Sequence, residues 1–225
     1  MVEYEIEVVY LSGRFDAFFA LEPEKQRRIL DAGLGEFAEK GFRRASTNAI
    51  AETARIGKGM LFYYFGSKGE FFDFLCEYCI EFFPREYLDR FNPQKCGGDF
   101  ILRQQYLAGA KRRAMEENPL IFAMLESFYR PENAPYVKKY GDVLAEQRRA
   151  FADSLYEGLD LTLFRADIEP KRAVRYIAWL MDAYAGALEA RLKADRSGAE
   201  YEAALREEWE GYDVFIEDLR HLFYT

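Results

Sequence analysis

Residues 41–72, GFRRASTNAIAETARIGKGMLFYYFGSKGEFF, read as two short helices joined by a tight turn and followed by an aromatic and basic segment. That arrangement suits a chain that presses one helix into DNA. The first helix starts at Ser46 or Thr47, where a hydroxyl can accept from free backbone N–H groups, and runs through Ile50, Ala51 and Ala54. A turn follows at Arg55–Gly57. The second helix then carries Lys58 to Phe65, with Leu61 and Phe65 four apart and so on one buried face. Lys58, Gly59, Phe62 and Tyr63 are left pointing outward.

Working outward, 225 residues of which 50% are hydrophobic can bury a sizeable core and suit one small domain plus one larger one. No run approaches the roughly 18 apolar residues that span a bilayer, and the opening MVEYEIEVVY is acidic where a secretory signal is basic, so no membrane partner and a cytoplasmic location are expected. Three cysteines, Cys76, Cys79 and Cys96, form no disulfide framework. The net charge of −8 is unevenly spread: between Glu24 and Glu70 stand nine Lys/Arg and six Asp/Glu, a net of +3, which leaves −11 to the rest. Only a docking face needs to be basic, so a basic head on an acidic body stays compatible with nucleic acid.

Punctuation by Pro and Gly divides the chain into helices and leaves no convincing sheet. A first long helix is expected from Pro23 or Glu24 to Lys40, ended by Gly41. Another is expected from Ser67 to about Phe91, bent near Pro84. Further helices are expected at Asp99–Glu117, Pro119–Tyr129, Pro135–Leu159, Pro170–Ala194 and Ala199–Tyr224, with loops at Arg130–Pro135 and Lys193–Gly198. Residues 1–22 admit several readings. Glu3–Val8 alternates like a strand and Phe15, Phe18, Phe19 and Leu21 suit a short helix; the segment packs on the first helix or on a partner, or reflects where translation is taken to start. In the final helix Leu205, Trp209, Tyr212, Ile216, Leu219 and Phe223 make a continuous apolar stripe, while Pro170–Ala194 is apolar on more than one face.

From about Gln26 to Phe72 the chain resembles the TetR-type one-component transcriptional regulators. Ile29, Leu30, Phe37, Gly41 and Phe42 look like that family's first helix and its end, Ile50-Ala51 like the core of its second, and Lys58-Gly59 through Tyr64-Phe65 and Ser67-Lys68 like its recognition segment. The resemblance implies an all-α fold: a three-helix helix-turn-helix domain (residues 23–70, after an extension at 1–22), then a larger helical effector-binding and dimerisation domain (71–225). It implies a homodimer that binds a palindromic double-stranded DNA operator, acts as a repressor and is released by a small molecule, with no cofactor; the chain's 20 Phe and 16 Tyr suit an effector of apolar or aromatic character. An architectural or protein-partner-controlled DNA-binding protein on the same scaffold is the alternative.

Resemblance and chemistry together assign the DNA contacts. Ser46 and Thr47 face a phosphate at a helix N-terminus. Lys58 reaches guanine or a phosphate, Gly59 lets the backbone approach, Met60 touches bases or sugar, and Phe62 meets a thymine methyl. Tyr63 and Tyr64 offer phenols to phosphates, and Lys68 clamps the backbone. Tyr106, Phe122, Met124, Phe128, Tyr129 and Trp179 are the candidate effector pocket. The final two helices are implied to pair with a second copy through Tyr176, Leu180, Ala183, Tyr184, Leu205, Trp209, Tyr212, Ile216 and Leu219. Three positions depart from the family's pattern: Arg55 stands where a glycine is usual, Gly57 where a serine is usual, and Phe62 where a tyrosine is usual. If position 55 needs a left-handed backbone, arginine there costs on the order of 1 kcal/mol.

An enzyme is not expected. The single histidine, His221, sits on the last helix, and no serine or cysteine nucleophile has an orienting base. Cys76 and Cys79, three apart on a helix, lack the second ligand pair of a metal site and read as small hydrophobes, with redox sensing as the other possibility.

Overall fold

The computed structural model describes residues 13–83, 85–86, 93–128, 130–143, 146, 155–192 and 199–225, without the side chains of 83, 93, 94, 188–192, 199–206 and 208. The regular structure among these residues is helical, apart from one isolated antiparallel bridge between Phe164 and Tyr224. The helices whose bounds fall among the described residues include α1 (Asp16–Phe19), α2 (Pro23–Arg44), α3 (Thr47–Thr53), α4 (Lys58–Phe65), α5 (Lys68–Phe83), α6 (Phe100–Glu117), α7 (Pro119–Ser127), α8 (Ala134–Val137), α9 (Pro170–Leu192) and α10 (Ala199–Phe223), and residues 141–143, 146 and 155–156 are helical as well. They divide into two compact units, one within Met1–Phe91 and Gly109–Ala150, the other within Asn92–Ala108 and Phe151–Thr225.

Local chemistry explains the helix ends of the first unit. Proline opens α2, and Gly41 breaks it with φ 69 and ψ 168 before one more turn to Arg44. Ser46 caps α3, its hydroxyl accepting from the Ala49 N–H at 3.3 Å. Ser67 does the same for α5, accepting from the Glu70 N–H at 3.1 Å. The core here is dominated by aromatic rings. Phe37, Phe65, Phe71, Phe72 and Phe74 are each essentially inaccessible, and full burial of such a side chain stabilises by about 1.5–3 kcal/mol. Gly33 lets α5 come close to α2, because a Cβ there would lie 2.5 Å from the Phe71 ring.

Phe15 and Phe18 belong to that core, with Ala17, Phe19 and Leu21 packed against it. Phe18 is fully buried, its ring centroid 5.0 Å from Phe65 and 5.4 Å from Phe74, and Phe15 lies 4.9 Å from Phe74. The Gln26 amide nitrogen donates to the carbonyls of Phe19 and Leu21 at 2.9 and 2.7 Å and so ties the exit of α1 to α2. The strand-like Glu3–Val8, the bend at Pro84 and the loop Lys193–Gly198 lie outside the described residues.

The expected single helix from Pro135 to Leu159 is corrected at its start. α8 stops after Val137, and a 3-10 turn covers Lys138–Tyr140. Tyr140 is drawn inward there, with its hydroxyl 3.3 Å from the Asp73 carbonyl, and the Lys139 ammonium pairs with Asp73 at 2.8 Å. These nonlocal contacts with α5 favour the tighter turn at this point, and α-helix resumes at 141–143.

In the second unit, Phe100, Ile101, Ala173, Ile177, Ile216 and Leu219 are buried. The end of α10 is tied to the start of α6: Arg220 pairs with Asp99 at 2.9 Å, and the Tyr224 hydroxyl donates to the same carboxylate at 2.9 Å. Arg103 is also buried, its guanidinium donating to the carbonyls of Leu155 and Glu157 at 2.9 and 2.6 Å. It satisfies carbonyls left without an intrahelical partner where the helical residues 155–156 end.

Candidate nucleic-acid interface

Helices α3 and α4 are set against each other by a four-residue turn whose backbone is well engaged. The Ala54 N–H bonds to the Ile50 carbonyl at 2.9 Å, Arg55 to Glu52 at 3.0 Å and Ile56 to Ala51 at 2.9 Å. Arg55 adopts φ 56, so the left-handed conformation anticipated for that position is present. Ile50, Ala51, Ala54, Leu61 and Phe65 close the interior of the corner. Gly57 precedes α4 without a side-chain cap.

On α4 the opposite face is open. Lys58 and Gly59 are exposed, Met60 is 39% and Tyr63 69% exposed, and Phe62 is half-buried. A Cβ at Gly59 would meet no protein atom within 4 Å, so nothing in the fold itself demands a glycine there. Tyr64 is placed differently from the expectation of a phosphate contact. It lies three residues after Leu61 and so shares the buried face; only 5% of it is exposed, and its hydroxyl accepts from the Lys25 ammonium at 3.4 Å.

Ser46 and Thr47 stand at the α2–α3 junction, which is braced by charge. The Glu36 carboxylate accepts the Ser46 N–H at 2.8 Å and pairs with Lys40 at 2.8 Å. Burial pushes the Glu36 carboxyl up, but the hydrogen bonds from Lys40 and Ser46 and the charges of Lys40 and Lys68 outweigh it and hold the group below its usual range. The Lys68 ammonium donates to the Ala45 carbonyl at 2.6 Å and to the Arg43 carbonyl at 3.2 Å, over the Phe42 ring at 5.1 Å. Lys68 therefore also fastens the end of α2, a role its sequence position did not disclose.

Of the candidate pocket residues, Met124 and Phe128 are buried in the first unit's core and Phe122 is half-buried on α7. Tyr106 is 37% exposed on α6, and Tyr129 lies outside the described residues. Trp179, 60% exposed, lines an open groove of about 700 Å³ in the second unit, together with Tyr156, Leu161, Lys171, Val174 and Arg175. Sequence reasoning had not singled out the two cations.

The interface candidates also separate. On α9, Tyr176, Leu180 and Ala183 are exposed, and Tyr184 is half-buried against Phe215 at 4.6 Å. On α10, Ile216, Leu219 and Trp209 are spent inside their own unit and are not available to a second copy, while Tyr212 is half-buried and the side chain of Leu205 lies outside the described residues. Among the described side chains of α10, the exposed large apolar ones are Val214 at 64% and Leu222 at 55%.

Cys76, Cys79 and Cys96 are free and buried, and burial raises all three thiols above their usual range. Among the described residues no cluster of metal-ligating side chains occurs, His221 is exposed, and no helix is long and apolar enough to cross a membrane.

Residues 29–74, from the second turn of α2 into α5, match the model of the bacterial regulatory proteins of the tetR family. Among curated proteins the chain is similar to the HTH-type transcriptional repressor KstR2 of Mycobacterium tuberculosis (strain CDC 1551 / Oshkosh), at 25% identity over 154 residues, 68% of this chain and 76% of that protein. It is also similar to the HTH-type transcriptional repressor KstR of Mycolicibacterium smegmatis, at 32% identity over 111 residues, 47% of this chain and 50% of that protein. A solved TetR family transcriptional regulator from Chloroflexus aurantiacus J-10-FL has the same fold, with a TM-score of 0.55 over 93% of this chain and 98% of its own at 19% identity.

Proposed function

We propose that this chain, which is a TetR-type transcriptional regulator and not an enzyme, is a repressor that binds a palindromic operator as a homodimer and is released by a small molecule. The observation that carries the reading is the open face of α4. Lys58, Gly59 and Tyr63 are exposed there, with a buried face of Leu61, Tyr64 and Phe65 behind them to hold the helix rigid. A rigid helix with a cation at its start and no side chain at its second position can lie close to base edges.

In this reading residues 23–70 are the DNA-binding domain and 71–225 the effector and dimerisation domain. Ser46 and Thr47 contact a phosphate, Lys58 reads a base, and Met60, Phe62 and Tyr63 complete the contact. Both KstR2 and KstR are named as repressors, which supports that sign of regulation. The exposed Tyr176, Leu180 and Ala183 of α9 supply an apolar face for a second copy. The groove beside Trp179 supports an effector of apolar or aromatic character.

The test is equilibrium binding of the purified chain to the DNA upstream of its own gene, against an unrelated fragment of equal length, at two salt concentrations. A preference of about 10³ or more that survives the higher salt is expected of a specific repressor. Absence of any preferred site in a genome-wide selection would overturn the reading.

A further inference from the structure

Arg55 is the only non-glycine residue among those described with a positive φ. Left-handed backbone is disfavoured for a residue with a Cβ and is relieved by glycine. The guanidinium gains nothing inside the fold in return, since Arg55 is exposed and forms no ion pair among the described residues. Strain kept at an exposed cation points to a partner outside the chain.

Two further cations stand beside it. The Arg28 Nε lies 3.5 Å from the carbonyl of Ala54, the residue before Arg55, and Arg28 pairs at 3.0 Å with Glu24. Lys25, three residues earlier on α2, reaches the Tyr64 hydroxyl at 3.4 Å and lies 5.8 Å over that ring, along the edge of α4. The seven residues of α3 span about 10 Å, with Ser46, Thr47 and Lys68 gathered at its start and Arg55 and Arg28 at its end. The two groups are thus about as far apart as the phosphate walls of a major groove, which is about 12 Å wide.

We propose that Arg55, Arg28 and Lys25 form a second phosphate-contacting strip, which meets the DNA strand across the groove from the one met by Ser46 and Thr47. The strip rests on the reading of α4 as the helix that enters the groove. It positions the protein and reads no bases, so it serves operator and unrelated DNA alike. It also accounts for an arginine at a turn position where glycine would be more stable.

The experiment uses the full chain, an operator obtained by site selection and an unrelated duplex, with affinity followed across salt concentration. Arg55→Gly suits the backbone and keeps the fold, so it is expected to melt higher than wild type yet bind both DNAs more weakly. Its salt slope is expected to be shallower by about 0.9 for each phosphate that the variant no longer neutralises. Arg28→Gln is expected to lower the slope in the same way, and Arg55→Lys to retain it. Wild-type affinity and slope in both Arg55→Gly and Arg28→Gln, with the wild type still selecting an operator, would overturn the strip alone. A wild type that selects no operator would overturn the role of α4 and the strip with it.

Discussion

The side-chain oxygen of Asn133 accepts the backbone N–H of Phe42 at 3.1 Å, across 91 positions of sequence, while its nitrogen donates to the Ser127 carbonyl at 2.9 Å. Asn133 is fully buried, and a Cβ at Gly41 would lie 3.1 Å from the same oxygen. Arg130 adds a bond to the Glu39 carbonyl at 3.1 Å. The segment after α7 thus clasps the chain where α2 ends and α3 must begin. Asn133→Ala leaves buried groups unpaired at about 1–3 kcal/mol each, so a drop of at least that size in denaturant unfolding is expected. Wild-type stability in this variant would show that the clasp carries no weight.

Acid should loosen the α2–α3 junction through Glu36. Its carboxyl is held below the ordinary value of 4.5, so its ionised form is favoured by folding. That stabilisation is complete above the unfolded value and is lost as pH falls through the lower folded one. Glu36→Gln should therefore be less stable than wild type at neutral pH, with the gap closing below about pH 4.5. Parallel stability curves from pH 7 to pH 3 would contradict this.

Phe18 supports α4 from behind through Phe65. Phe18→Ala should cost about 3–5 kcal/mol, as large aromatic truncations in tight cores do, and should weaken DNA binding at temperatures where the fold survives. Thermal unfolding of the variant measures the first effect; a shift under about 0.5 kcal/mol, the size of an ordinary surface change, would argue against the packing.

Lys58 and Lys68 should part company in a paired assay. Lys68→Ala removes two bonds from a cation to carbonyls and should lower stability by about 1–2 kcal/mol as well as affinity for every DNA. Lys58 is exposed, so Lys58→Ala should leave stability unchanged and relax base preference. Equal losses of specificity from both would remove the base-reading role of Lys58.

Leu180 is 41% exposed on α9, beside Tyr176 at 38%. Leu180→Arg should shift the chain toward monomer in sedimentation and weaken operator binding without unfolding it. A dimer of undiminished strength would move the interface elsewhere.

The break at Gly41, the cap at Ser46, the turn around Arg55 and the open Lys58–Gly59 corner were all legible in residues 41–72, although α2 resumes past Gly41 to end at Arg44. Each depends on a glycine, a short hydroxyl or a helical spacing acting within a few positions. What tertiary structure decided lies in partners far apart in sequence. Tyr64 turns inward beneath Lys25, Phe18 packs on Phe65, Lys68 fastens Ala45, and Ile216 and Leu219 are consumed by their own unit. An apolar stripe states that a face must be covered and says nothing of what covers it. Burial is nondirectional, and only the assembled neighbours determine whether the covering surface comes from the same chain.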